Sequence, residues 1–227
     1  MGAAVVWATL GGRSLERAAL RLAAALEAGD VEAARLLAPA LVGRDPSELD
    51  STELCRAAVE SVAENTNDAV VAPLFWAALA GAPGAGAYRA VNTLDAMVGH
   101  KHDRYREFGW FSARLDDCAS WPSARLSALL AVVCAPLVGG SPRAAWRAAW
   151  HDGRLHPSPN GGRVEGAFAG ALGLRLGGVN RYAHGVEVRP SLGSGRPPAV
   201  TDIRRAVVLA RLVGVGALLL ALGVARR

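Results

Sequence analysis

Residues 59–76 read VESVAENTNDAVVAPLFW, and residues 88–117 read YRAVNTLDAMVGHKHDRYREFGWFSARLDD. In the first stretch Glu60, Glu64 and Asp68 recur every four residues, and a helix stacks such positions on one face. The same run then enters Val70, Val71, Leu74, Phe75 and Trp76. A carboxylate ladder leading into apolar helix is costly to bury unless a metal, a cation or a ligand neutralises it. The plainer alternative is a solvated helix end. Helical periodicity resumes at residues 88–98, where Asn92 and Asp95 stand three apart and share a face. Residues 100–110 (HKHDRYREFGW) read as a polar loop dense in charges and aromatics, and loops of that content carry function more often than packing.

Outward from this centre the chain is apolar and helical. Residues 1–10 (MGAAVVWATL) are apolar but too short to span a bilayer, and they lack the basic start of a signal peptide. Ser14 is placed to cap a helix that Gly29 ends, and a second helical pattern over residues 30–42 is interrupted at Pro39. Residues 43–50 (GRDPSELD) form a turn, and Ser51 with Glu53 opens the next helix. Residues 69–80 are continuously apolar before GAPGAGA breaks them, a run short enough for a re-entrant or half-crossing helix. Residues 123–138 are apolar except for Arg125, and residues 204–227 close the chain with a run long enough to cross a bilayer. Arginines flank both ends of that last run, so the positive-inside rule does not orient it. Between these runs, Trp146 and Trp150 sit in a basic helix of interfacial character, residues 156–185 are glycine-rich around an extended turn, and residues 191–202 form a linker. Strand signals are weak throughout. The expected fold is all-α, a multi-pass integral membrane protein in one domain, with membrane segments near 69–82, 123–139 and 206–225.

Composition agrees with a membrane setting: 52% of the 227 residues are hydrophobic, and the mean hydropathy is +0.22 despite 20% charge. The net charge of +5 would ordinarily suggest nucleic acid or acidic lipid. Here the cations are scattered arginines without aromatic interleaving, and Lys101 is the sole lysine, so no nucleic-acid groove is expected and membrane lipid is. Cys55, Cys118 and Cys134 show neither disulfide nor zinc spacing and read as buried small apolar residues. His100 and His102, two apart, point away from each other on a helix and pair for a metal only on a loop or strand. Neither a GxGxxG after a strand nor a GxxxxGK[ST] phosphate loop is present.

ESVAENTNDAVVAPLFW, AVNTLDAMVGHK, RYREFGWFSARLDD, HPSPNGG and RLGGVNRY occur here in order, and in that order and spacing they resemble adenosylcobinamide-phosphate synthase, the CobD/CbiB family of cobalamin (vitamin B12) biosynthesis. The resemblance runs from about Thr9 to the C-terminal helix. It implies a membrane-bound, ATP-dependent amide ligase that joins a propionate carboxylate of adenosylcobyric acid to aminopropanol or its O-phosphate. Family members usually begin with further hydrophobic helices, so the resemblance also implies a preceding segment that this sequence does not carry. Three local departures are Ser120 in place of an Asn, Pro122 one position early, and Ala183-His184 where the family pattern has two glycines.

Amide formation from a carboxylate at neutral pH needs an activated acyl group, most simply an acyl phosphate. That chemistry calls for Mg²⁺ on carboxylates, cations on phosphates, and a base or counter-charge for the amine. The resemblance and these needs together assign Glu60, Glu64 and Asp68, with Asp116 or Asp117, to Mg²⁺ and the amine. Lys101, Arg104 and Arg114 are assigned to phosphate or a corrin carboxylate, and Asn65, Asn92, Asp95, Ser158, Asn160 and Asn180 to substrate. Plainer readings stand beside these. Asn65 and Asn92 serve equally as helix-packing amides, Asp116 and Asp117 as caps of a following helix, and Arg104 as a solvated or headgroup-facing charge. Two other functions compete. One is a non-catalytic membrane sensor or transport accessory on the same helical scaffold, whereas the ligase reading carries other cobalamin-assembly membrane enzymes as expected partners. The other is a soluble nucleotide-binding module, which the terminal apolar helix and missing phosphate loop argue against.

Overall fold

The Asp50 carboxylate starts the central helix. It accepts the Glu53 amide at 2.8 Å while the Glu53 side chain accepts the Asp50 amide at 3.2 Å, a reciprocal cap. In the computed structural model, which describes residues 2–43, 45–99, 106–182 and 185–225, helix α4 (Ser51–Thr66) runs from this cap. A wider π turn (Asn67–Val71) follows it, and then α5 (Ala72–Val98). The expected break at GAPGAGA is a kink and not an end. Only Ala80 and Gly81 leave helical geometry, Gly81 at φ +63°, and Pro83 sits where the resumed helix needs no amide donor.

Helix α1 (Gly2–Thr9) packs on α5, and α2 (Gly12–Glu27) packs on α3 (Val31–Leu37), α4 and α9 (Val200–Ala225). Ser14 lies inside α2 and caps nothing; the helix starts two residues earlier, after Gly11. Asp30 caps α3 through the Ala33 amide at 2.8 Å. Residues 106–110 belong to α6 (Arg106–Cys134), which continues without interruption through Asp116 and Asp117. Those two aspartates therefore do not cap a following helix, because mid-helix amides are already bonded to the preceding turn. Among the cysteines, Cys55 and Cys134 are buried but Cys118 is exposed on α6, contrary to expectation.

The glycine-rich segment hides two elements. Helix α8 (Gly161–Leu172) lies against α7 (Pro142–Arg147) and the π turn that extends it (Ala148–Asp152). The approach is so close that a Cβ on Gly166 or Gly170 would run into the carbonyl oxygens of Ala148 and Ala144. Beyond α8, β1 (Leu176–Tyr182) pairs antiparallel with β2 (Gly185–Leu192), so the expected linker begins as strand. Alternation is blurred there by a bulge between Leu176 and Gly178, where Gly177 and Gly178 hold φ of +82° and +102°.

The class is nonetheless all-α, a helical membrane fold carrying one hairpin. Three helical stretches are long and apolar enough to cross a membrane by length and composition, Ser51–Val98, Gly109–Val138 and Val200–Ala225. The segments expected at 69–82, 123–139 and 206–225 fall largely within them, the first astride the kink. Val208, Val215, Leu218, Leu219, Leu220, Leu222 and Val224 face outward along α9, as lipid-facing residues do. Inside, alanines such as Ala124, Ala128, Ala131, Ala167 and Ala206 are fully buried, and their small size lets the helices approach closely.

A carboxylate-rich candidate active site

The ladder Glu60, Glu64, Asp68 does not act as one set, because the chain divides it among three environments. Glu60 belongs to the hairpin. Its Oε1 accepts the Gly177 amide at 2.8 Å and faces Arg56 Nη1 at 3.4 Å. Arg56 also donates to the carbonyls of Gly177 (2.7 Å) and Val179 (2.8 Å) and to Asn180 Oδ1 (3.0 Å). Arg56, Glu60 and Asn180 are all buried, so this is a closed polar latch fastening β1 to α4.

Asp68 lies past the π turn and faces α5 and α6. Asn92 Nδ2 bridges Asp68 Oδ2 (3.4 Å) and Asp116 Oδ1 (3.3 Å). Tyr88 OH lies 3.5 Å from Asp68 Oδ1 and 3.1 Å from Ser120 Oγ, and Ser120 lies 3.4 Å from Asp116 Oδ2. Asn67 donates to Asp68 at 2.8 Å and accepts from Ser127 Oγ at 3.0 Å, which ties the π turn to α6. π turns of this kind gather at functional sites because they re-aim side chains inside a helix. Among the described residues, no cationic side chain forms an ion pair with Asp68 or Asp116.

Glu64 stands between these two groups. It is accessible yet ringed by protein, with Glu60, Asp95, Asp116 and Arg189 in electrostatic reach. On its other side lies the turn before α8. An added Cβ on Gly161 would sit 3.5 Å from Glu64 Oε1 and 3.4 Å from Glu165 Oε1. Glu165 and His156 are buried there, with His156 Nε2 3.8 Å from Glu165 Oε1. Burial, with Arg189 nearby, pushes the His156 imidazole down to about 4, so it is neutral at pH 7.

The other expected residues divide. Asn160 is buried, with Nδ2 donating to the Asp117 carbonyl (2.8 Å) and Oδ1 accepting from Arg125 (2.6 Å). It locks the HPSPN turn onto α6, helped by Arg125 stacking over Trp121 with 4.4 Å to the ring centroid. Ser158 Oγ accepts the amides of Asn160 and Gly161, a local turn role. Asn65 bonds back to Ser61 of its own helix at 3.0 Å, and the Asp117 side chain pairs with Arg114 at 3.3 Å near the surface. His100, Lys101, His102, Arg104, Ala183 and His184 lie outside the described residues. Sequence reading passed over Arg56, Tyr88, Ser120, Ser127, His156 and Glu165. Tyr88 with Asn92, and Asp116 with Ser120, are four apart, the spacing that would have flagged them. Glu165, alone in the run VEGAFAGALGL, is a charge in apolar helix.

Among the described residues, no three His, Cys, Asp or Glu side chains form a metal-holding group. The Asp68–Asp116 pair is still suited to Mg²⁺, which is usually held by one or two carboxylates completed by phosphate and water.

Apolar helices of spanning length that enclose accessible carboxylates define a membrane protein with a polar site between its helices. The chain belongs to the CobD/Cbib protein family, whose match covers residues 1–210. It is 58% identical to the cobalamin biosynthesis protein CobD of Mycobacterium tuberculosis (strain CDC 1551 / Oshkosh), over 96% of this chain and 70% of that protein. The proteins of the same name from Geobacter metallireducens and Klebsiella pneumoniae are 50% and 46% identical. Those matches cover 85% and 97% of this chain, and 60% and 69% of the relatives. No solved structure matches the chain.

Proposed function

We propose that the chain is an amide-forming ligase of the cell membrane, threaded through it several times. It would join a propionate carboxylate of adenosylcobyric acid to aminopropanol or its O-phosphate, with ATP as co-substrate. Its role in cobalamin biosynthesis follows from its family. The observation that supports a reaction there is the Asp68–Asn92–Asp116 cluster, two carboxylates between apolar helices with no cationic partner among the described residues. A scaffold has no use for so costly a group.

The propionate oxygen attacks the γ-phosphorus of ATP, forming a mixed acyl phosphate and releasing ADP. The amine nitrogen then attacks the acyl carbon, the C–O bond to phosphate breaks, and inorganic phosphate leaves with that electron pair. The incoming ammonium loses two protons along the way, and Glu64, the accessible member of the ladder, is the base proposed to accept one. Asp68 and Asp116 would hold Mg²⁺ jointly with phosphate oxygens, and the metal would supply charge neutralisation there. Asn92 keeps the two carboxylates in register, and Tyr88 and Ser120 fix their outer oxygens. Lys101, Arg104 and Arg114 remain our candidates for phosphate and corrin carboxylates. Neighbouring membrane enzymes of cobalamin assembly are proposed as partners that pass on the corrinoid.

The test is product formation by detergent-solubilised protein given adenosylcobyric acid, ATP, Mg²⁺ and either amine, followed by mass. Amide product from the parent and its loss in Asp116→Asn support the reading. No product with either amine sinks the ligase, and undiminished product from Asp116→Asn sinks the site.

A further inference from the structure

We propose that the outward face of α2, built on Arg13, Arg17 and Arg21, is a seat for anionic phospholipid headgroups at the edge of the apolar part of the molecule. The surface does not depend on the ligase reading. Two features carry it: a level at which the chain's charge stops, and a cationic row that begins there with nothing to balance it.

The level is set where three segments meet. The Gly11 amide donates to the Ala69 carbonyl at 2.9 Å. Val70 is wedged between two glycines, so that a Cβ added to Gly12 or Gly214 would lie 3.0 or 3.2 Å from its methyl groups. To one side of this junction the chain is uncharged: residues 2–12, 69–88 and 212–225 hold no Asp, Glu, Lys or Arg. These segments stay together, α1 and α9 each packing on α5. Trp7, Leu79, Val215, Leu219 and Leu222 are exposed along them, the kind of surface that lipid covers. To the other side stand Arg13, Glu64 and Arg211. Arg13 is exposed, so hydrocarbon does not reach past Gly12 on this flank.

The row begins at that level. Arg13, Arg17 and Arg21 are four apart and all exposed, on one face of α2. Their backbones stand about 1.5, 7.5 and 13.5 Å beyond Gly12 at the helical rise. A headgroup layer is roughly 5–8 Å deep. The first two arginines therefore lie in it, and the third reaches back along its flexible stem. The acids of α2 are turned away, Glu16 to Arg211 at 2.8 Å and Glu27 to Arg204 at 2.7 Å, both on α9. Among the described residues, none of the three outward guanidiniums has an ion-pair partner, and the first turn of α2 holds no acid. Like charges four apart repel, and an anion between them removes the repulsion. A phosphate accepts two parallel N–H bonds from one guanidinium, and a bilayer surface offers phosphates at this depth. Only a lipid of net negative charge balances the row, because a zwitterionic headgroup brings its own cation.

Native mass spectrometry of the detergent-solubilised full chain, titrated with phosphatidylglycerol, phosphatidylcholine and glycerol 1-phosphate, tests the proposal. Phosphatidylglycerol should bind at least about tenfold more tightly than phosphatidylcholine, since each arginine at a negative surface contributes about fivefold. Glycerol 1-phosphate should bind more weakly than the whole lipid, whose tails lie against the apolar side. Arg13→Gln, Arg17→Gln and Arg21→Gln together should erase the preference and leave phosphatidylcholine binding and the melting midpoint unchanged. Lysine at the same three positions should keep most of it. The matched control is Arg143→Gln, Arg147→Gln and Arg154→Gln, which removes equal charge from exposed positions in and just after α7. A parent that does not distinguish the two lipids, or a preference that survives glutamine along α2, overturns the surface. A preference lost equally in the control variant shows that net charge alone is read, and overturns it too. Glycerol 1-phosphate binding as tightly as phosphatidylglycerol does the same, because the apolar edge then has no part in binding. If the triple glutamine variant does not fold, Arg17→Gln alone decides, with a loss of about fivefold expected.

Discussion

Two polar clusters lie about two helical turns apart on the same rod, and they are built on opposite principles. Around Glu60 the carboxylate meets a guanidinium and a backbone amide, and Arg56 saturates two strand carbonyls at 2.7 and 2.8 Å. Around Asp68 only the Asn67 amide is close, at 2.8 Å; the contacts that Asn92, Tyr88 and Ser120 make with Asp68 and Asp116 stretch to 3.3–3.5 Å, and the two carboxylates share one asparagine. The first cluster is closed by its own charges, which is what burial demands of a structural ion pair. The second carries negative charge that its described neighbours do not cancel, which suits a site that waits for a cation. Identical residue types in one ladder thus have different work, and the neighbours decide which.

If the Glu60 cluster is structural, removing its cation must unfold the protein more than it harms chemistry. Arg56→Ala leaves a buried carboxylate unpaired and frees the hairpin, at a cost of about 3–5 kcal/mol. A fall in the thermal midpoint in detergent should show it. A midpoint within a degree or two of the parent, on the order of a surface substitution, would mean that water replaces the arginine and that the latch is open.

His156 gives a pH-dependent contrast outside the spans. Its imidazole sits at about 4 when folded and near the ordinary 6.5 when unfolded. Between those values the unfolded chain binds more protons, so stability is full above about pH 6.5 and declines as pH falls toward 4. The loss amounts to at most about 3 kcal/mol. Because carboxylates titrate over part of the same window, the measure is the parent's loss in excess of that in His156→Asn. Equal losses in the two would show that His156 is not held neutral by burial.

For the Asp68 cluster the expectation is reversed. Asp116→Asn should lower the rate of amide formation by about a hundredfold. Its stability should stay unchanged or rise, since one of two adjacent negative charges is gone. Comparing initial rates with melting midpoints separates the two clusters on one plot. A variant that loses stability and keeps its rate would move Asp116 into the structural class.

The helical class and the position of the polar centre were legible because both rest on local pattern: apolar runs of spanning length, and carboxylates at helical spacing beside them. The hairpin was not legible. Gly177 and Gly178 interrupt its alternation, and the strand is fixed by Arg56, some 121–124 positions away in sequence. The same distance hid the division of labour in the ladder, since nothing near Glu60 in sequence announces that Gly177 will donate to it. Glu165 and His156 were overlooked because each is single in an otherwise apolar or turn-forming stretch, and only folding sets them beside Glu64.

The smallest expected effect concerns the π turn that separates the two clusters. Asn67 and Asp68 face α6 only because this turn adds a residue to the helix, and Ser127 holds it by donating to Asn67 Oδ1 at 3.0 Å. Asn67 in turn donates to Asp68, so the serine acts on the carboxylate at one remove. Ser127 is fully buried, and Ser127→Ala leaves the Asn67 acceptor without its donor, at a cost of about 1–3 kcal/mol, toward the low end if the amide re-orients. If that bond merely packs two helices, the midpoint falls and the rate per folded molecule does not. If it aims Asp68, the rate falls as well and the Mg²⁺ concentration needed for half-maximal rate rises, whereas the same change made at the exposed Ser194 moves neither. A rise in that Mg²⁺ requirement without a change in midpoint would place the π turn with the chemistry and not with the scaffold.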